Sequence, residues 1–441
     1  MKSDSAGAES MLTSEDSAGA DREHVDYYAA VRKKRTLRNA WRVVYENGRI
    51  SKSEETRRLV KEFSVEVETH LDTISKQLRQ NRFKFPPAEG ILTESRSKKP
   101  RPIVKSPIVS RIVQRAILDT LQAEPALDAY YKIPTSFGGI KGKGLGVPGA
   151  LRVAWKAIKE GAKYFIRSDI EGFFTKIPRH TVLDMIEMII NEPKFNALLE
   201  AATCVELENM AALREKADLF PTYDLGVAQG CCLSPLFGNI LLERFDRKLN
   251  GRGIICLRYI DDFLILGANR RNVVAAFKSA KTLLAELGLI AYDPITRPDK
   301  AEMGEVEKGL GFLGCDISLG FVRPSRESRR KLLTTIEGIF EASIKLMGNP
   351  SFLLSEGLTV AETLIEADHV LQGWGNQYSF CNDRLLLKDL DSKIDILISY
   401  YLQKYREFNE KFKREGNSVD QRRLLGVHLL VDSKFAPVTN L

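Results

Sequence analysis

Apolar residues recur at spacings of three and four along several stretches of this chain, and that period predicts amphipathic helices. One spans Glu54 to Leu78. A second, SRIVQRAILDTL within Val109 to Leu121, carries Arg111 and Arg115 four apart. Two more cover Leu236 to Leu249 and Val273 to Leu287. Between them lie short, nearly continuous apolar runs of strand length: Tyr164 to Ile170, Ile254 to Leu266 interrupted only by Tyr259-Ile260-Asp261-Asp262, and Gly309 to Ile317. The order strand, helix, two strands, helix, strand predicts a split βαβ arrangement, an antiparallel sheet backed by helices. After Pro324 the pattern is helical almost to the end. The fold class expected is therefore α+β.

Punctuation divides the chain further. Residues 1–23 are rich in Ser, Ala, Gly, Asp and Glu, and a disordered tail is expected there. Tyr27 to Tyr45 sets Arg32, Lys33, Lys34, Arg35, Arg38 and Arg42 around Leu37, Trp41 and Val44, which is either a solvated helix face or a phosphate-contacting one. A basic loop, Ser95 to Val104, and a glycine- and lysine-rich loop from Gly138 to Gly146 follow.

With 441 residues, two or three packed subdomains are expected. A formal charge of +8 and a pI near 9.0 favour a partner that carries phosphates. The six cysteines form no CxxC pair, so neither a zinc site nor a disulfide framework is expected, and a reducing cytosol fits. No stretch reads as a signal peptide or a membrane span; a cytoplasmic protein that avoids membranes is the expectation.

The chemistry concentrates at two places. Asp261 and Asp262 are adjacent carboxylates embedded in apolar sequence. They read either as a hairpin turn that happens to use Asp or as a cation site, because two like charges raise one another's pKa unless a cation neutralises them. Asp169, at the end of an apolar strand in RSDIEGFF, reads alone as a helix N-cap; the expected sheet order places it beside the Asp261 hairpin. Three carboxylates could then converge on two Mg²⁺ ions, an arrangement suited to in-line phosphoryl displacement.

DIEGFF, QGCCLSP and YIDD, in that order, resemble the palm motifs of reverse transcriptases. RPIVKSPIVSRIVQRAI resembles the fingers segment of the group II intron-like and other bacterial enzymes, TSFG their next short motif, GFLG their primer-grip hairpin and LQGWGNQYSFCN the start of their thumb. The resemblance implies a right-hand polymerase: a basic extension and fingers over 24–150, a palm over 151–320, a helical thumb over 321–410 and an extension over 411–441. It implies that Asp169, Asp261 and Asp262 are catalytic and bind metal, together with Ile170. It places Lys99, Arg101, Phe173, Phe174, Gln229 and Lys300 around a dNTP, with Phe174 as the gate against ribonucleotides. Arg111, Gly230, Tyr259, Phe312, Leu313 and Gly314 fall where the family meets template and primer.

Departures from the family pattern are Ile260 where Ala is frequent, Lys105-Ser106 in place of Ile-Pro, and Ser110 for an Asp. Hallmarks of retron and diversity-generating enzymes are missing, and the thumb most resembles the stand-alone, defence-associated bacterial enzymes. That implies RNA-templated DNA synthesis on a cognate noncoding RNA in antiviral defence, as a monomer or an oligomer. The alternatives are a group II intron maturase, an inactive RNA-binding scaffold, and untemplated or protein-primed synthesis, for which Tyr401 and Tyr405 are candidate primers.

Overall fold

The structure is a computed structural model that describes residues 26–95, 98–140, 142 and 144–430, without the side chains of residues 94, 95, 98 and 99. The expected disordered tail lies outside the described residues. Around the site the strands are β1 (Glu89–Ser95), β2 (Lys98–Lys105), β3 (Tyr164–Asp169), β4 (Ile254–Tyr259), β5 (Asp262–Gly267), β6 (Glu302–Glu305), β7 (Leu310–Phe312), β8 (Cys315–Ser318) and β9 (Phe321–Pro324). The central sheet runs β4-β5-β3-β6 with antiparallel neighbours throughout, as the order of elements predicts.

This sheet explains why its strands read as unbroken apolar runs. Ile166, Cys256, Phe263 and Ile265 face a core shared with the N-terminal helices and the helix Ser234–Leu241. Phe165, Leu257, Leu264 and Leu266 face a second core, against the helix Gly146–Lys159 and the β7–β8 hairpin. A sheet covered on both faces has no solvated side on which polar residues could alternate. In β3, β4 and β5 polar residues are few, Arg167, Ser168 and Arg258 among them, and the aspartates fall at the strand ends.

A third core joins the helices Arg326–Leu346, Val360–Gln377 and Arg384–Arg414. The last of these runs through residue 410 without a break, and the helix Ser418–Leu425 contributes Leu424 to the same core. Tyr401 has no exposed surface: its ring stacks on Phe340 at 4.7 Å and its hydroxyl lies 2.9 Å from Ser343 Oγ. A wholly buried phenol cannot reach a nucleotide, so Tyr401 is withdrawn as a candidate primer.

Several expected helices are divided. The basic one breaks at Lys33 into Tyr27–Arg32 and Lys34–Arg49, the second breaks at Glu66 into Glu54–Val65 and Val67–Arg79, and the helix after QGCCLSP breaks at Leu242. The basic helix is also less free than its composition suggests. Lys34 pairs with Glu68 and Asp72 at 3.2 and 2.7 Å, and Arg38 pairs with Glu68 at 2.7 Å, while Leu37, Trp41 and Val44 are buried. Part of its charge is thus neutralised within the chain. Among the described residues, no helix is long and apolar enough to cross a membrane.

Candidate active site

Register brings the carboxylates together. Asp169 at the end of β3 stands opposite Asp262 at the start of β5, and Asp262 pairs across the hairpin with Tyr259. Only Ile260 and Asp261 form the turn. Of these Ile260 alone has positive φ, +62°, the pattern of a type II′ hairpin, in which glycine is the residue normally found. A β-branched residue there is strained, so its surroundings must hold it. They do so from both sides of Asp261. The Ile260 carbonyl accepts from Arg258 Nη1 at 2.9 Å, and the Asp261 carbonyl accepts from the Ile170 backbone N–H at 3.2 Å.

Burial pushes the Asp169 carboxyl up to about 7, reinforced by the charges of Asp261 and Asp262. Burial likewise raises Asp261, and raises Asp262 to about 6 with help from the Asp261 charge. Lys300 pulls Asp169 and Asp262 down, Arg167 pulls Asp262 down, and Arg101 does the same for Asp261. Three neighbouring carboxyls, each raised by burial, are groups waiting for positive charge.

A metal fits the donors present. Asp169 Oδ1 is buried and has no hydrogen-bond partner, an arrangement that is costly unless something else satisfies it. Hard oxygen donors suit a hard divalent cation. Among the described residues no three acidic, His or Cys side chains are already spaced as a ligand cage. The charges of Asp261 and Asp262 both bear on Asp169, and the Asp262 backbone N–H favours the charged form of Asp261.

The other expected site residues separate into groups. Arg101 and Lys300 are exposed and electrostatically coupled to the aspartates; the Lys300 ammonium also lies over the Tyr292 ring at 5.9 Å. Tyr259 is half-buried. Phe174 is partly exposed, whereas Phe173 is buried in the first core with its ring centroid 5.5 Å from that of Phe174. Ile170 is buried too, leaving only its backbone available. The Gln229-Gly230 loop docks on β2: Val104 N–H donates to the Gln229 carbonyl at 2.8 Å. Gly230 has φ +114°, and a Cβ there would lie 2.8 Å from the Val104 carbonyl.

Arg111 is half-buried, in a cleft it lines with Glu55, Lys105 and Ile108, and burial lowers its pKa. Phe312 is buried in the second core, so only Leu313 and Gly314, both with positive φ at the β7–β8 turn, are left to meet a ligand. The Lys99 side chain lies outside the described residues.

Sequence reasoning missed Arg167 and Arg258. Arg167 donates to the Gly311 carbonyl at 3.0 Å and pairs with Glu302 at 3.3 Å, tying the β7 hairpin to the strand that carries Asp169. An arginine inside an apolar strand needs a buried partner, and that was the available signal for both.

A carboxylate-bearing hairpin seated beside a third aspartate, on an antiparallel sheet flanked by helical units, is the core of a right-hand nucleic-acid polymerase. The reverse transcriptase (RNA-dependent DNA polymerase) family matches residues 90–317, more than half of the chain, and the protein belongs to that family. It is 27% identical over 161 residues to the group II intron-encoded protein LtrA of Lactococcus lactis subsp. cremoris, a match covering 35% of this chain and 24% of that protein. The chain therefore spans about a quarter of the curated relative's length. Among solved structures it is similar to a partial Cas6-RT-Cas1–Cas2 complex (21% identity, 58% of this chain and 42% of that one, TM-score 0.34). It is also similar to apo telomerase from Candida tropicalis (13% identity, 74% and 62%, TM-score 0.40).

Proposed function

We propose that this chain is an RNA-directed DNA polymerase that adds dNTPs to a primer 3′-hydroxyl. The observation that carries the reading is the pairing of Asp169 with Asp262 across β3 and β5, with Asp261 in the turn between them and its charge felt at Asp169. Asp169, Asp261, Asp262 and the Ile170 backbone would hold two Mg²⁺ ions. When bound, these lower the pKa of the attacking hydroxyl and neutralise the leaving pyrophosphate.

The chain's own groups do the rest by position and charge. Arg101 and Lys300, already coupled to the aspartates, serve as cationic clamps on the triphosphate, with Lys99 assigned the same work. Phe174 offers a partly exposed ring where a 2′-hydroxyl would have to fit, and its buried neighbour Phe173 holds it in place. Gln229 and Gly230, pinned to β2, line the nascent pair. Tyr259, Leu313, Gly314 and Arg111 bound the path of template and primer, and Phe312 anchors the hairpin from below. In this reading residues 24–150 act as fingers, 151–320 as palm and 321–410 as thumb.

The template proposed is a cognate noncoding RNA copied in antiviral defence in the bacterial cytoplasm. A group II intron maturase is the second reading, favoured by the match to the intron-encoded protein. Sequencing the RNA and DNA that copurify with the protein decides between them: a short noncoding RNA with its DNA copy supports defence, and a spliced intron supports the maturase. For the chemistry itself, Asp261→Ala with Asp262→Ala should abolish dTTP incorporation on oligo(dT)-primed poly(rA) while leaving the circular dichroism unchanged. Retained incorporation would remove these residues from the reaction.

A further inference from the structure

Arg258 is 1% exposed, as is its ion-pair partner Asp246. A guanidinium has five N–H donors, and burial makes each unpaired one costly. All five are used. Nε donates to Asp246 Oδ1 at 2.8 Å, and Nη2 to Asp246 Oδ2 at 2.5 Å and Ser136 Oγ at 2.8 Å. Nη1 donates to Asn239 Oδ1 at 3.0 Å and to the Ile260 carbonyl at 2.9 Å. The backbone of Arg258 is fixed as well, by Thr135 and Phe137 at 2.9 Å each.

Two of these five bonds reach the catalytic turn. One holds the Ile260 carbonyl directly. The other runs through Asn239, whose Nδ2 donates to the Gly138 carbonyl at 2.9 Å, and Gly138 is the residue against which the Ile260 backbone packs. A hydrophobic strand residue would fill the same space without a desolvation cost, so a buried ion pair is not explained by stability alone. Only a fork of fixed geometry can hold a counter-ion and a strained peptide together.

We infer that Arg258 is a positioning residue: with Asp246 as its counter-ion and Asn239 and Ser136 as struts, it holds the Ile260–Asp261 peptide so that the Asp261 carboxylate faces Asp169. The inference deepens the polymerase reading and rests on it for its effect on rate. Its structural content stands separately.

Two variants test it. Arg258→Met with Asp246→Leu removes both charges, a replacement that buried pairs commonly tolerate. Arg258→Lys keeps the ion pair, but one ammonium cannot also reach Ser136, Asn239 and the Ile260 carbonyl. Both should fold, with hydrogen exchange of the 259–262 amides faster than in the parent. On oligo(dT)-primed poly(rA), kcat should fall about 10- to 100-fold while KM for dTTP stays within about threefold. A merely structural ion pair predicts full rescue by Arg258→Lys; parental kcat and parental turn protection in that folded variant overturn the inference. Should the double variant not fold, Arg258→Lys decides by the same two readouts. If the parent protein incorporates no dTTP, the polymerase reading fails, and exchange of the turn amides alone decides whether the clamp exists.

Discussion

Gly138→Ala puts the seating of the Ile260–Asp261 turn to a steric test. Gly138 has an ordinary negative-φ backbone, so alanine costs nothing locally; what it meets is the turn. Its Cβ would lie 2.6 Å from Ile260 N and 2.7 Å from Ile260 Cγ1, where ordinary contact begins at 3.4 Å. About 0.8 Å of separation must therefore be found. The Gly138 side cannot supply it, because Asn239 holds its carbonyl at 2.9 Å. Ile260 has to retreat, and Asp261 is bonded to it.

Overpacking of this kind costs about 1–3 kcal/mol, which lowers the melting point of a chain this long by about 1–3 °C. Misplacing reacting groups by about 1 Å costs about 100-fold in rate, so dTTP incorporation should fall by about 10- to 100-fold, out of proportion to the stability loss. The control is Gly338→Ala, in the middle of the helix Arg326–Leu346, where the added methyl meets nothing within 4 Å. That change should stabilise by about 0.5–1 kcal/mol. Parental melting and parental incorporation in Gly138→Ala would refute the packing of Ile260 on this loop and the reasoning built on it.

The raised Asp169 pKa predicts a pH dependence. The folded state keeps a proton between the ordinary Asp value of 3.8 and about 7 that the unfolded state releases, so metal-free stability falls as pH rises through that window and levels off above it. Asp169→Asn removes the titration: its metal-free melting point should exceed the parent's at pH 8 by a few degrees and converge with it near pH 4. An equal gap at both pH values would show that the carboxyl is not perturbed. Phe174→Ala should admit ribonucleotides in competition assays of rNTP against dNTP, with unchanged selectivity removing the ring from the gate. Phe173→Ala should instead lower stability by about 3–5 kcal/mol, read by denaturant melts, because that ring is 2% exposed in the core.

The central sheet was legible because a strand buried on both faces is a short apolar run, and a carboxylate pair inside one has to be paid for in charge. Hence β3, β4, β5 and the three aspartates follow from local pattern. Helix breaks at Lys33, Glu66 and Leu242 were not legible, since none of these positions is Gly or Pro, the residues that interrupt a helix by local preference. Phe173 and Phe174 are adjacent on a helix of four residues, too short for a period to tell the buried ring from the exposed one. The Arg258–Asp246 pair joins residues on different elements, and its only trace is a charge inside ICLRY.

Arg258 is gripped by Ser136, Asn239 and Asp246 and the turn beyond it by Ile170, segments remote from one another along the chain. Such long-range closures complete late in folding, after the entropy of the intervening loops has been overcome. Competence thus arrives in one step with the finished tertiary structure. A half-folded or nicked chain would hold its three aspartates apart.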